Sequence, residues 1–282
     1  MDKQKRILAI HDISGVGKCS LTVALPIISA MGIETSVLPT AILSTHTGGF
    51  EGFTYRDLTD DIIPIVDHWS SLKVAFDGIY TGFLGSYEQI ELVCQAFDKL
   101  KASDTLILVD PVMADHGTLY TIFDREFPLA MKELCKKADI IIPNITEACL
   151  LTGETYWQGP YTEDYIKNLL SKLSTLGVRQ IVLTGIYFDG KQLGAACYDT
   201  ASGKISYVLG EKIEGDFHGT GDIFGSVLSG AVLNNLPLEK AVRLAVDFTA
   251  GCVKRTKEAN TEKRYGVNFE AGLPGLIHAL GL

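Results

Sequence analysis

The sequence predicts an α/β protein: a three-layer αβα sandwich built on a mainly parallel sheet. Three observations carry that prediction. Short β-rich runs alternate with longer helical patterns along the whole chain, as repeated strand–helix units require. Runs such as Leu106–Val109 and residues 140–142 are continuously apolar, as strands covered on both faces are. No Pro/Ser-rich linker, fixed-period repeat or low-complexity tract interrupts the 282 residues, so residues 1–282 read as one domain.

The elements follow in order. Residues 7–10 form the first strand, and residues 19–31 a helix that Pro26 would kink. Further strands are predicted at 35–38, 74–80, 105–109, 139–142, 180–183 and 193–198. Between them, residues 87–101 place Ile90, Val93, Cys94, Phe97 and Leu100 on one helical face. Residues 165–176 and 222–234 carry similar stripes, the second through Ile223, Phe224, Val227, Leu228, Ala231 and Val232. Residues 238–253 make a further helix, apolar at Leu238, Ala241, Val242, Ala245, Val246 and Val253. In such sheets ligands sit beyond the carboxyl ends of the strands. The polar residues just after each strand are therefore the functional candidates.

Composition narrows the function. Hydrophobic residues are 46% and charged residues 21%, which supports a sizeable core and excludes intrinsic disorder. The formal net charge of −9 argues against a general nucleic-acid binder, which needs a concentrated basic surface. A local nest of backbone N–H groups can still hold a phosphate in an acidic protein. The uncharged stretch 19–33 is too short to span a bilayer and contains Pro26, so no membrane partner is expected. Only residues 7–10 follow the charged start before His11 and Asp12, too few for a signal-peptide core. The six cysteines form no CxxC pair, which argues for reduced thiols and a cytoplasmic setting.

Gly17-Lys18 after the first strand suggests a phosphate-binding P-loop, but Asp12 stands where the opening glycine belongs and Cys19 where the magnesium-binding hydroxyl belongs. A P-loop is therefore rejected. Gly15 and Gly17 read either as a tight strand-to-helix turn or as a substrate-facing loop. The strongest segment is Phe217-His218-Gly219-Thr220-Gly221-Asp222, leading into an amphipathic helix. Its glycines let backbone N–H groups converge, and the helix adds its positive end. Asp222 could take a proton from a hydroxyl, or could merely cap the helix. Asp110 and Asp115 could hold magnesium through water and phosphate, or be turn acids around Pro111. Asn144 and Glu147 could organise a metal and phosphate, or be a helix cap and its first-turn acid. Thr47 is a better substrate contact than His46, and Tyr120 is either a packed flap aromatic or a nucleotide contact.

Taken together these segments resemble the ribokinase-like superfamily, and within it the pyridoxal/pyridoxamine (vitamin B6) kinases. Gly219-Thr220-Gly221-Asp222 resembles the superfamily's anion hole and catalytic base. Residues 110–120 resemble the B6-kinase segment DPV-x-x-D-x-G-x-LY, and Asn144-Ile145-Thr146-Glu147 its N-x-x-E element. Leu183-Thr184-Gly185 is similar to a strand end lining the nucleotide site. Ser44-Thr45-His46-Thr47-Gly48 is similar to the substrate-side N-H-T-G stretch, with Thr45 in place of Asn. The matches keep their order over nearly the whole chain. Two segments depart: Phe83 stands where some B6 kinases carry Tyr, and His11-Asp12-Ile13-Ser14-Gly15 lies between the B6 kinases and the hydroxymethylpyrimidine kinases.

The resemblance implies an ATP-dependent kinase that phosphorylates the 5′-hydroxymethyl group of a B6 vitamer. It implies Asp222 as base and the amides of Gly219, Thr220 and Gly221 as anion hole. Ser14, Thr47 and Phe83 would surround the pyridine. Asp110, Asp115, Tyr120, Asn144, Glu147 and Thr184 would serve ATP, with Asp115 and Glu147 organising Mg2+. A monovalent cation and a homodimer are further implications. The rival readings are a hydroxymethylpyrimidine kinase with the same chemistry and, from another class, a non-catalytic nucleotide or vitamin sensor. A sensor would not need the carboxylate of Asp222.

Overall fold

The computed structural model describes residues 4–282. In chain order its elements are β1 (Arg6–Val16), α1 (Leu21–Ala30), β2 (Glu34–Thr45), β3 (Tyr55–Asp57), α2 (Thr59–Ser71), β4 (Gly78–Thr81) and α3 (Tyr87–Leu100). There follow β5 (Leu106–Val109), β6 (Ala114–Asp115), β7 (Thr118–Leu119), α4 (Phe127–Cys135), β8 (Ile140–Ile141), α5 (Ile145–Thr152) and α6 (Glu163–Ser174). The chain ends through β9 (Gln180–Ile186), β10 (Gln192–Asp199), β11 (Lys204–Glu211), α7 (Thr220–Leu233), α8 (Leu238–Glu258) and α9 (Leu273–Ala279).

Nine strands form one sheet in the order β11-β10-β9-β8-β5-β4-β1-β2-β3. The run from β9 to β2 is parallel. Antiparallel strands close both ends: β10 and β11 on one side, β3 on the other. β6 and β7 make a separate small hairpin. Each face of the sheet carries its own core. Leu8 and Ile10 point to one side and pack with α2 through α6, while Ile7 points to the other and packs with α1, α7, α8 and α9. That alternation along β1 is the period of two of a strand buried on both faces. The three-layer α/β architecture with a mainly parallel sheet is thus present as predicted.

The differences are local. β1 runs to Val16 because it stays paired with β2 as far as Val16↔Thr45. Gly15 therefore lies in the strand, and the turn is confined to residues 17–20. α1 continues through Pro26 rather than breaking there. The fourth strand is shorter than residues 74–80, because pairing with β1 begins only at Gly78. α2, α4, α5, α9, β3, β11 and the β6–β7 hairpin carried no prediction. α2 hides behind Pro64, α5 has only eight residues, and β3 is an exposed three-residue edge.

β1 pairs with β2 on one side and with β4 on the other. Strand order reverses there, which makes that point the ligand crevice of an open α/β sheet.

Candidate active site

The segment before α7 is built around Gly219. Its φ of 78° lies in the left-handed region, and a Cβ there would stand 2.1 Å from the Lys18 carbonyl oxygen. Only glycine meets both demands. The chain can then turn sharply into α7, and no side chain caps that helix. Gly221 differs: its φ is ordinary, and a Cβ there would meet nothing within 4 Å. Glycine at 221 keeps open space in front of uncapped amides at the positive end of a helix. Such an arrangement can receive an anion.

Asp222 sits in the first turn of α7. Burial pushes its carboxyl up to about 7, against the opposing effect of the Ser20 N–H, which donates to it; the Asp12 charge adds to the rise. Ser20 takes φ 49° in the turn between β1 and α1. Asp12, only 5% exposed, accepts from Ser20 Oγ at 2.6 Å and from Ser14 Oγ at 3.2 Å. The turn after β1 thus braces the base of the nest. Burial and the charges of Asp222 and Asp12 push the Cys19 thiol up to about 12, so it is no nucleophile.

The opposite wall comes from the ends of β5 and β8. Asp110 follows β5 and is 8% exposed. Burial first, then the charge of Asp222, raises its carboxyl well above the usual range. Asn144 and Glu147 form a capping box on α5: Asn144 Oδ1 accepts from the Glu147 N–H at 2.9 Å, and Glu147 Oε2 from the Asn144 N–H at 2.8 Å. Glu147 Oε1 accepts from the Met113 N–H at 3.2 Å, and Asn144 Nδ2 donates to the Ala114 carbonyl at 2.9 Å. The box therefore ties α5 to the segment that leads into β6. Burial and the Asp110 charge raise the Glu147 carboxyl. Asp115 lies exposed in the β6–β7 hairpin, where Oδ1 accepts from the His116 N–H at 2.8 Å. Tyr120 follows that hairpin; burial, then the charges of Glu147 and Asp115, raise its hydroxyl. Thr184 in β9 donates its N–H to the Pro143 carbonyl at 2.9 Å, and Gly185 beside it has φ 78°.

Gly219 to Asp222 line one cavity of about 460 Å³ together with Asp110, Asp115, Tyr120, Asn144, Glu147 and Thr184. Segments as far apart in sequence as 110 and 222 converge there because each follows, or lies close to, a carboxyl end of the parallel sheet. Sequence reasoning gave no role to Asp12 and Ser20. Asp12 could have been noticed as a carboxylate just past the first predicted strand. Ser20 acts through its backbone and left no side-chain signal. Nor did it give a site role to the rest of the lining, including Ile213 and Phe217 of the β11–α7 loop and Val246 and Val253 of α8. These apolar side chains carry no chemistry that a motif could show.

Ser14, Thr47 and Phe83 are not among the residues lining that cavity. Ser14 is fully buried in β1, its hydroxyl given to Asp12. Thr47 is exposed in the loop after β2. Phe83 follows β4, half-buried, with its ring centroid 5.8 Å from that of Phe123. Phe83 follows β4 and Ser14 lies near the carboxyl end of β1, so both sit by the switch point between these two strands.

A cavity lined by carboxylates and glycine-rich backbone at the ligand edge of a parallel sheet fits an ATP-dependent small-molecule kinase of ribokinase-like fold, and the relatives bear that class out. A family model described as phosphomethylpyrimidine kinase matches residues 25–267, and the chain belongs to that family. Pyridoxal kinase from Lactobacillus plantarum superposes with a TM-score of 0.90 at 31% identity, covering 98% of each chain. A protein from Bacteroides thetaiotaomicron, provisionally named a phosphomethylpyrimidine kinase, was crystallised in an orthorhombic form with pyridoxal. It superposes with a TM-score of 0.90 at 36% identity, covering 99% of this chain and 96% of its own. The hydroxymethylpyrimidine/phosphomethylpyrimidine kinase of Aquifex aeolicus is 29% identical over 195 residues, 66% of this chain and 72% of its own.

Proposed function

We propose that the protein transfers the γ-phosphoryl of ATP to the 5′-hydroxymethyl oxygen of a B6 vitamer: pyridoxal, pyridoxamine or pyridoxine. One observation carries the reading: Asp222 and the uncapped amides beside it line a single cavity with Asp110, Asn144, Glu147 and Thr184. The vitamer rests on the pyridoxal-bound relative and the pyridoxal kinase of similar structure. Asp222 accepts the hydroxyl proton as the oxygen attacks. Its carboxyl near 7 suits that task, since a base poised near the working pH is both available and strong enough. The N–H groups of Gly219, Thr220 and Gly221 hold the transferring phosphoryl, whose chemistry asks mainly for positioning and charge stabilisation. Asn144, Thr184 and Tyr120 border the nucleotide, and Ser14, Thr47 and Phe83 the acceptor.

The carboxylates fit magnesium. Among the described residues no three His, Cys, Asp or Glu side chains form a dedicated metal cage. Magnesium needs none, since it keeps its waters and binds through one or two carboxylates and the phosphates. Asp110 is raised by Asp222, and Glu147 by Asp110, so a cation between them would relieve repulsion. Asp110 would hold it, with Asp115 reaching from the hairpin. Glu147, both oxygens already taken by backbone N–H groups, would add charge and keep Asn144 in place. When bound, the ion would neutralise charge on the nucleotide phosphates. A monovalent cation, a homodimer, a cytoplasmic setting and a single domain over residues 1–282 belong to the same reading by family resemblance. Among the described residues no helix is long and apolar enough to cross a membrane.

The second reading is a hydroxymethylpyrimidine kinase, favoured by the family description and by the Aquifex relative. The decisive first experiment is ATP turnover with and without pyridoxal, with Asp222→Asn beside it. Acceptor-dependent turnover that the substitution abolishes supports a kinase. Nucleotide binding with no turnover on any of the alcohols would make the protein a sensor.

A further inference from the structure

We propose that His218 is a positioning residue, a spacer that sets the anion nest at the right height above the acceptor-side loop. The proposal rests on the reading of Gly219–Gly221 as the nest. Four segments meet beside it. Gly219 presses on the Lys18 carbonyl from one side. On the other, His218 lays the polar edge of its ring against Gly48: a Cβ at Gly48 would stand 2.7 Å from His218 Cε1 and 2.8 Å from Nδ1. Gly48 has no positive φ, so its backbone does not demand glycine. The ring of His218, on an exposed side chain, is what a methyl at Gly48 would have to displace.

The loop under His218 is itself held firmly. His46 Nδ1 accepts from the Gly48 N–H at 3.0 Å, while Nε2–H donates to the Arg264 carbonyl at 2.5 Å. Those two contacts fix one neutral tautomer. The His46 ring lies 5.3 Å from that of His218, and Arg264 stacks over Phe50 and Tyr265. Loop 46–50 is thus pinned to residues 263–265, and His218 is the side chain that carries its position to the next residue, Gly219. Thr47 sits on the acceptor side of this contact and the amides of Gly219–Gly221 on the phosphoryl side. A spacer between them sets the distance across which the phosphoryl must move, and misplacement of about 1 Å can cost on the order of 10²-fold in rate.

A double-mutant cycle tests this with purified full-length protein, ATP and pyridoxal. Gly48→Ala pushes the ring and should lower kcat about tenfold, with a smaller change in the acceptor KM. His218→Ala removes the spacer and should lower kcat by a similar factor. The double variant should then be no slower than His218→Ala alone, because the added methyl has nothing left to push. Non-additivity in kcat with little change in KM is not expected from a merely structural role, and thermal melts of all four proteins check folding. Losses that multiply to about 100-fold, or a Gly48→Ala protein with unchanged kcat, would overturn the proposal. Failure of the nest itself would look different: Gly221→Ala and Asp222→Asn would both stay active whatever the cycle shows.

Discussion

Asp222→Asn should kill the enzyme and stabilise it, and the two effects together separate a base from a first-turn acid that only stabilises the helix. The carboxyl titrates at about 7 in the fold against a reference of 3.8. Below about 4 both folded and unfolded chains hold the proton, and the group costs nothing. As pH rises from about 4 to 7, the unfolded chain releases the proton while the folded chain retains it, so stability falls. Above about 7 the full penalty is present, about 4 kcal/mol at 1.36 kcal/mol per pH unit. One effect opposes a gain on substitution. An acid in the first turn of a helix is worth about 0.3–1 kcal/mol through the dipole. The Ser20 N–H needs an acceptor, which the Asn carbonyl oxygen supplies. Desolvation is the larger, so the variant should melt several degrees higher at pH 8 and no higher at pH 4. Turnover should fall about 10²–10⁴-fold, with nucleotide binding retained. Differential scanning calorimetry across pH 4–8 beside steady-state kinetics reads both. A lower melting temperature at pH 8 with near-normal turnover would leave Asp222 as a first-turn acid that only stabilises the helix, and would rule it out as the base.

Other substitutions probe the remaining parts. Gly221→Val should fold normally, since a Cβ there meets nothing within 4 Å, yet lose turnover while keeping acceptor affinity. Gly219→Ala should instead lower the melting temperature, because its Cβ would strike the Lys18 carbonyl at 2.1 Å. Asp110→Asn should raise the magnesium needed for half-maximal activity without loss of stability, and by more than Asp115→Asn does; equal shifts in a magnesium titration would remove Asp110 from its leading role. Phe83→Ala should raise KM for every acceptor alcohol, an aromatic contact being worth about 0.5–1.5 kcal/mol beyond burial. An unaltered KM would take Phe83 out of the acceptor wall.

The parallel core was legible because its strands are apolar on both faces. β5 needed only Leu106–Val109 to declare itself. The ordered motifs did the same for the cavity, since glycines and carboxylates after strands have few other reasons to recur together. What the sequence hid was long-range. Nothing local tells that Gly219 rests on Lys18, that Ser20 lends its N–H to Asp222, or that Gly48 leaves room for His218. Each of those contacts joins residues from separate loops. The capping box of Asn144 and Glu147 shows a subtler limit: spacing alone left metal organiser and helix cap as rivals, and the fold occupies both oxygens of Glu147 with backbone N–H groups while burial and the Asp110 charge raise its carboxyl.

Parallel kinetics on four alcohols decide which acceptor the protein phosphorylates. With ATP and magnesium fixed, kcat/KM should be measured for pyridoxal, pyridoxamine, pyridoxine and hydroxymethylpyrimidine, with each phosphorylated product confirmed by mass. The account predicts that at least one B6 vitamer exceeds hydroxymethylpyrimidine by tenfold or more, a difference of about 1.4 kcal/mol in transition-state binding. A higher kcat/KM for hydroxymethylpyrimidine than for all three vitamers would contradict it.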